Sequence, residues 1–213
     1  MAFYPHILNP TQNEILPRLS FTKLEFYLGG GTALALQLGH RTSVDFDFYA
    51  PRKFDNQQMS QTINRLFPGT DTSSEQPENT LRLDVMGTEV SVFYYPYPLL
   101  DPVVDYGSVS LASLTDIAAM KTAAVVQRAR QRDFYDIYYL IKELGMEKII
   151  TATYQKFPWY EENNVVVFTS LTYFTDADND LEAERVKVFD RNVTWEMVKK
   201  RVKEETQKYV DGL

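Results

Sequence analysis

Asp45 and Asp47 stand two residues apart in Val44-Asp45-Phe46-Asp47-Phe48, where apolar and acidic residues alternate strictly. That period is the pattern of a strand, turning both carboxylates to one face and Val44, Phe46 and Phe48 to the other. Two adjacent carboxylates repel each other and raise at least one pKa unless a cation sits between them. A hard, oxygen-seeking ion such as Mg2+ (or Mn2+) satisfies the pair, keeping waters and adding substrate phosphates as ligands. Two such ions, about 3.5–4 Å apart, stabilise both the attacking and the leaving oxygen of a phosphoryl displacement. A bare pair of this kind also fits a solvent-facing strand with acidic outer residues.

Gly29-Gly30-Gly31-Thr32 lies between a strand-like stretch, Lys23 to Leu28, and the helix formers Ala33 to Leu38, with Gly39 as a natural stop. Free backbone N–H groups and the positive end of the helix dipole can face an anion there, and glycine lets a phosphate approach the backbone. The run is not a P-loop, since no Gly-Lys-Ser/Thr follows. Nor is it a dinucleotide fingerprint, because Leu34 stands where the last glycine belongs. By itself it also fits a ligand-free turn. Taken together, a strand, a Gly-Gly-Thr turn, a short helix and an Asp-x-Asp strand set a phosphate cradle beside a metal pair.

Residues 28 to 49, LGGGTALALQLGHRTSVDFDFY, resemble the signature of the polymerase-beta-type nucleotidyltransferase superfamily, and its AbiEii/AbiGii toxin family in particular. A second segment, DIAAMKTAAVVQRARQRDFYDIYYL (116–140), is similar to that family's helical lysine, basic stretch and Asp-x-x-Asp helix start. The resemblance covers roughly residues 20 to 145.

The resemblance implies an active site between two lobes, with Asp45 and Asp47 holding magnesium. Gly30, Gly31, Thr32, Arg41 and Ser43 would bind the nucleotide, and Lys121 would neutralise its phosphates. Asp136 or Asp133 would activate or position the acceptor, or orient Lys121. Helix arithmetic puts Asp133 and Asp136 on one face and lets Arg132 pair with Asp136. The implied reaction moves an NMP from an NTP to an RNA (a tRNA end) or a protein, releasing pyrophosphate. The protein would then be the toxin of a bacterial toxin–antitoxin or abortive-infection pair, with a cognate antitoxin.

One position departs from the superfamily. A third carboxylate is expected on the following strand, Thr88 to Tyr95, where Ser91 stands. Glu89 shares its face and Asp84 sits across the hairpin; failing both, the general base falls to Asp133 or Asp136. This gap keeps open a nucleotide-binding module without turnover; transfer of the γ-phosphate alone is a separate alternative. His40 reads chiefly as a local hydrogen-bonding residue at a loop edge. Tyr94, Tyr95 and Tyr97 fit either a base stack or ordinary packing.

The elements that must position these residues follow from periodicity and punctuation. A short helix is expected within 6–20, limited by Pro10 and Pro17. Asp55 with Gln58 opens a helix that Pro68-Gly69 ends, and DTSSEQPENT, beginning at Asp71, is polar loop. Leu81–Val85 and Glu89–Tyr95 read as a hairpin around Met86-Gly87-Thr88. Ser113 with Asp116 starts a helix to about Arg130, and another covers Asp133 to Leu144. Val165 to Ser170 is expected as a strand, and Trp195 to Tyr209 as a helix capped by Thr194. The fold class is therefore α+β: a nucleotidyltransferase lobe with a mixed sheet over 1–105, then a mainly helical lobe over 106–213.

Composition bounds the rest. The 213 residues carry 44% apolar and 24% charged side chains, ordinary for a globular protein. No apolar run approaches the roughly 18–20 residues of a membrane span. No signal peptide is legible, and without cysteine there is no disulfide or thiolate site, so the cytoplasm is the simplest compartment. A net charge of -7 argues against a broad nucleic-acid-coating surface. The cluster Lys121, Arg128, Arg130 and Arg132 still leaves RNA open as an acceptor. Lys199, Lys200, Arg201 and Lys203, interleaved with Glu204 and Glu205, read as a solvated helix face.

Overall fold

Alternation around Asp45 builds the middle of a mixed sheet to which every other part of the site is tied. The computed structural model describes residues 2–71 and 76–213. Helix α1 (Pro10–Arg18) begins at Asn9, whose side chain and backbone exchange hydrogen bonds with Gln12. Then come strand β1 (Tyr27–Leu28), helix α2 (Gly30–Leu38), strand β2 (Asp45–Ala50) and helix α3 (Asn56–Leu66). Two hairpins follow, β3 (Thr80–Val85) with β4 (Thr88–Tyr94), and β5 (Val104–Tyr106) with β6 (Val109–Leu111).

The six strands form one sheet in the order β3-β4-β2-β1-β6-β5. β2 runs antiparallel to β1 and parallel to β4, and β1 runs parallel to β6. Phe46, Phe48 and Ala50 face the core from β2, so Asp45, Asp47 and Tyr49 share the opposite face. Parallel register sets Asp45 opposite Glu89 and Asp47 opposite Ser91. The boundary drawn at residue 105 falls within β5.

The remaining elements are helical: α4 (Leu114–Arg128), α5 (Gln131–Leu144), α6 (Met146–Lys156), α7 (Trp159–Glu162), α8 (Asn164–Thr172), α9 (Thr175–Asp178) and α10 (Trp195–Asp211). α4 packs against α2 on one side and against α5, α6 and α8 on others. A buried pair pins it, with Lys156 Nζ donating to Asp116 Oδ1 at 2.8 Å and to the Pro98 carbonyl at 2.6 Å. Sheet and helices share one continuous apolar core, from Ile15 and Leu34 through Phe46 to Phe134 and Val202.

Several local expectations change. Lys23–Leu28 is not one strand: Ser20–Leu24 is a 3-10 helix and only Tyr27–Leu28 pairs. Thr22 is buried and its hydroxyl donates to the Leu19 carbonyl, closing a local turn where alternation alone suggested extension. Val165–Ser170 lies inside α8, where Val167 and Leu171, four residues apart, are the buried pair. The β5–β6 hairpin is an addition that no sequence pattern announces, its strands being three residues each. Asp55 accepts from the Gln58 N–H as expected, at 2.8 Å. Of DTSSEQPENT, residues 72–75 lie outside the described residues, and Thr80 belongs to β3.

Candidate active site

Three consecutive glycines press against β2 and its approach. A side chain on Gly29 would meet the Tyr49 ring at 2.7 Å, and one on Gly30 would come 3.0 Å from Asp47 Oδ2. On Gly31 it would strike Arg41 Nη2 at 2.5 Å. Gly30 also holds a left-handed φ of +61°, which glycine adopts without steric cost. Helix α2 thus starts beside the carboxylates, with first-turn N–H groups that have no intrahelical acceptor. Ser43 and the two glycines Gly30 and Gly31 line the same cleft. Thr32 does not face it: its buried hydroxyl donates to the Asp45 carbonyl at 2.5 Å and ties α2 to β2.

Behind the carboxylates lies a cluster of opposite charges, buried except for the half-exposed Arg128. Lys121 Nζ is 2.8 Å from Asp133 Oδ1 and 2.6 Å from Asp136 Oδ2. Arg41 donates to both oxygens of Asp136, and Arg128 Nε donates to Asp133 Oδ2 at 3.2 Å. Three cations thus meet two carboxylates, leaving one positive charge toward the cleft. Burial alone would raise both aspartates. Arg41 and Lys121 more than offset it at Asp136, holding that carboxyl well below its usual range. Lys121 and Arg128 do the same at Asp133, more weakly.

Arg132 is not the partner of Asp136, because Arg41 already occupies both oxygens; Arg132 lines the cleft instead. Nor is His40 a local residue. It is buried, and Nε2 donates to Asp136 Oδ1 at 2.7 Å across 96 residues of chain. Burial, with the Arg41 and Lys121 charges nearby, lowers its pKa against the pull of Asp136, which favours the neutral imidazole as the donor. The chain near the C-terminus seals this region, with Thr42 N–H donating to the Lys187 carbonyl and Phe189 N–H to that of His40, both at 3.0 Å.

The cleft itself, a cavity of about 410 Å³, joins the sheet to the helices. Asp45, Asp47 and Glu89 line its acidic side; Lys121, Arg128, Arg130 and Arg132 line the basic side. Arg82, Phe93 and Glu182 also reach it, and no motif marked them, because they meet only through the fold. Arg130 is shared with Asp180 at 3.2 Å and Glu182 at 2.9 Å. Asp84 turns away, accepting from the Gly87 N–H at 2.7 Å in the β3–β4 turn. Ser91 is buried, 3.4 Å from Glu89 Oε1.

Desolvation and the neighbouring Asp45 push the Asp47 carboxyl up to about 7, against the pull of Lys121 and Arg128. A carboxylate pair so strained is relieved by a cation with oxygen ligands, and the donor set suits Mg2+ or Mn2+. Among the described residues no cluster of three or more His, Cys, Asp or Glu side chains capable of holding a metal ion is present. Asp45 and Asp47 are thus two carboxylate donors, fewer than the octahedral set of oxygens a Mg2+ ion takes, as at sites completed by water and substrate phosphate.

The sequence matches the family described as nucleotidyl transferase AbiEii toxin, Type IV TA system, in overlapping segments 14–98 and 67–213. The chain belongs to the AbiEii nucleotidyltransferase toxin family. An uncharacterized protein of Aquifex aeolicus (strain VF5) is 34% identical over 198 residues, covering 88% of this chain and 89% of that protein. Among solved structures, the fold resembles MenT4, a nucleotidyltransferase toxin of Mycobacterium tuberculosis H37Rv. The TM-score is 0.65 at 18% identity, with 94% of this chain and 82% of MenT4 covered. It also resembles JHP933 of Helicobacter pylori, with a TM-score of 0.61 at 15% identity and 99% and 94% coverage. Membership in AbiEii implies an NTP-using nucleotidyltransferase toxin, and the α+β architecture is that of its structural neighbours. Among the described residues no helix is long and apolar enough to cross a membrane.

Proposed function

We propose that this AbiEii protein transfers an NMP from an NTP to an RNA or protein acceptor in the cytoplasm, releasing pyrophosphate, and that a cognate antitoxin restrains it. The observation that carries this reading is the Asp45–Asp47 pair facing the glycine turn and the basic wall across one cleft. Divalent ions held by Asp45 and Asp47 would supply Lewis-acid polarisation of the α-phosphate and charge neutralisation of the leaving pyrophosphate. Gly30, Gly31 and Ser43 cradle the phosphates through backbone N–H groups and a hydroxyl. Lys121, Arg128, Arg130 and Arg132 meet the negative charge from the other side.

Asp133 and Asp136 act as positioning residues. Their oxygens are committed to Lys121, Arg41, Arg128 and His40, which leaves neither free to take a proton. Glu89, exposed in the cleft and opposite Asp45 in register, is the carboxylate suited to that task. The acceptor oxygen bonds to the α-phosphorus, the bond to the β-phosphate oxygen breaks, and the acceptor proton passes to Glu89. The acceptor class rests on the family and on the basic wall.

Ser91 at the third-carboxylate position favours a second reading, a nucleotide-binding module without turnover. Parallel incubations with α-labelled and γ-labelled NTP separate the possibilities. Label on the acceptor from α-labelled NTP alone supports nucleotidyl transfer; label from γ-labelled NTP alone indicates phosphotransfer. Binding with neither label transferred supports the module.

A further inference from the structure

A second cavity, of about 490 Å³, opens beside the charged cleft, and its chemistry is different. Tyr49, Met120, Ala124 and Arg128 line both, so the two spaces adjoin along one shared wall. Beyond that wall the lining turns aromatic: Tyr95, Tyr97, Phe157, Trp159 and Tyr160. Their rings touch in a chain, Tyr95 to Tyr97 and Tyr97 to Phe157 at 4.8 Å between centroids, and Trp159 to Tyr160 at 5.2 Å.

An apolar cluster of this size is ordinarily closed over by its own fold. Here Trp159 is 59% exposed and Tyr97 42% exposed, around open space. The floor is anchored from below, where the buried Lys156 ammonium lies 5.6 Å from the Tyr95 ring centre while paired with Asp116. Its lining is more apolar than polar, the reverse of the charged cleft, as suits a flat organic ligand with a few polar contacts at its edges. Gln127, exposed on the last turn of α4, adds an amide with both a donor and an acceptor at the rim.

An NTP is itself divided in this way, a polyanion joined through a ribose to a flat aromatic ring. Side chains alternate along β2, so Tyr49 stands two residues beyond Asp47 on the same face, about 7 Å along the strand. That is within the reach of one nucleotide. We infer that the aromatic cleft between Tyr97 and Trp159 receives the base of the incoming NTP, stacked on these rings, with its edge toward Gln127. The inference rests on the nucleotidyl-transfer reading, which brings the triphosphate to the Asp45–Asp47 side. Stacking tolerates every base, so Gln127 is the group that would grade one NTP over another.

The chain has two tryptophans, and Trp195 lines neither cavity, packing instead against Phe134 and Phe174. Trp195→Phe therefore leaves Trp159 as the single reporter in the full chain. Each NTP with Mg2+ is expected to quench Trp159 emission, while inorganic tripolyphosphate competes for the charged cleft without quenching. Trp159→Ala is expected to weaken NTP binding about tenfold, within the range of one base stack, and to leave tripolyphosphate binding unchanged. The exposure of Trp159 makes this variant safe for folding. Calorimetric NTP binding that is equal in wild type, Trp159→Ala and Tyr97→Ala would overturn the inference. Quenching by a short single-stranded RNA but by no NTP would overturn it too, giving the cleft to the acceptor. Loss of both NTP and tripolyphosphate binding in the wild type would remove the nucleotidyl-transfer reading and the base subsite with it.

Discussion

Arg41 donates to both oxygens of Asp136, from Nε at 2.7 Å and from Nη2 at 2.8 Å, and neither side chain is more than 1% exposed. The pair joins the loop that leads into β2 to the middle of α5, so the metal-facing strand is registered against the helices. Its value is positional, because a buried ion pair gains little net stability over apolar packing yet costs much to break.

Asp136→Asn leaves Arg41 and Lys121 short of a buried counter-charge. A loss of about 3–5 kcal/mol is expected by urea unfolding. The pair also sets an acid limit. Asp136 titrates well below its unfolded value of about 3.9, so its contribution is complete above about pH 5 and is lost as pH falls through the folded pKa. Stability measured from pH 6 down to 3 should fall more steeply in wild type than in Asp136→Asn. Parallel curves would show that the carboxyl does not carry the acid response.

Gly31 is where the cradle and this pair meet. An added methyl would lie 2.5 Å from Arg41 Nη2, whose other contact is Asp136. Gly31→Ala should therefore cost about 1–3 kcal/mol, the usual range for overpacking. NTP binding should weaken in the same variant. Wild-type Tm and NTP affinity together would mean that Arg41 has another place to go.

Asp47 points the other way. Its carboxyl, pushed up to about 7, favours the protonated form in the folded chain. That contribution is fully present below about pH 4 and is lost as pH rises toward 7. In chelator, wild type should thus be less stable at pH 8 than at pH 5, and Asp47→Asn should be more stable than wild type at pH 8, on the order of 2 kcal/mol. Mg2+ should stabilise wild type and leave Asp47→Asn unchanged. A destabilised Asp47→Asn in chelator would contradict the carboxylate repulsion on which the metal site depends.

Glu89 and Asp84 face each other across the β3–β4 hairpin, but only Glu89 lines the cleft. Glu89→Gln is expected to lower kcat about 100-fold or more, the scale of a lost general base, with NTP affinity kept. Asp84→Asn should leave kcat within about twofold. Equal effects of the two substitutions would assign the proton transfer elsewhere.

What was legible in the sequence is what local pattern encodes. Strict alternation marked β2, and the glycine run marked the start of α2. The Ser113 and Thr194 caps marked the starts of α4 and α10. Lys199, Lys200 and Arg201 form the solvated, ion-paired face their spacing suggested. The failures have a common physical origin in contacts that span the chain. Nothing near His40 announces Asp136, and nothing near Arg41 announces that its guanidinium would displace Arg132 from that carboxylate. β5 and β6 are three residues each, too short for alternation to speak, and Val109 and Leu111 pair only because β1 lies beside them. In α8, a run of valines favoured extension, and burial against α4 and α10 decided for a helix.

The metal pair carries the central claim, and one comparison tests it most directly. Wild type, Asp45→Asn and Asp47→Asn are each incubated with α-labelled NTPs, Mg2+, and bacterial RNA or protein extract. Wild type should place label on a discrete acceptor, and neither variant should do so while both unfold cooperatively. Label transferred at wild-type rates by either variant would contradict the role given to Asp45 and Asp47.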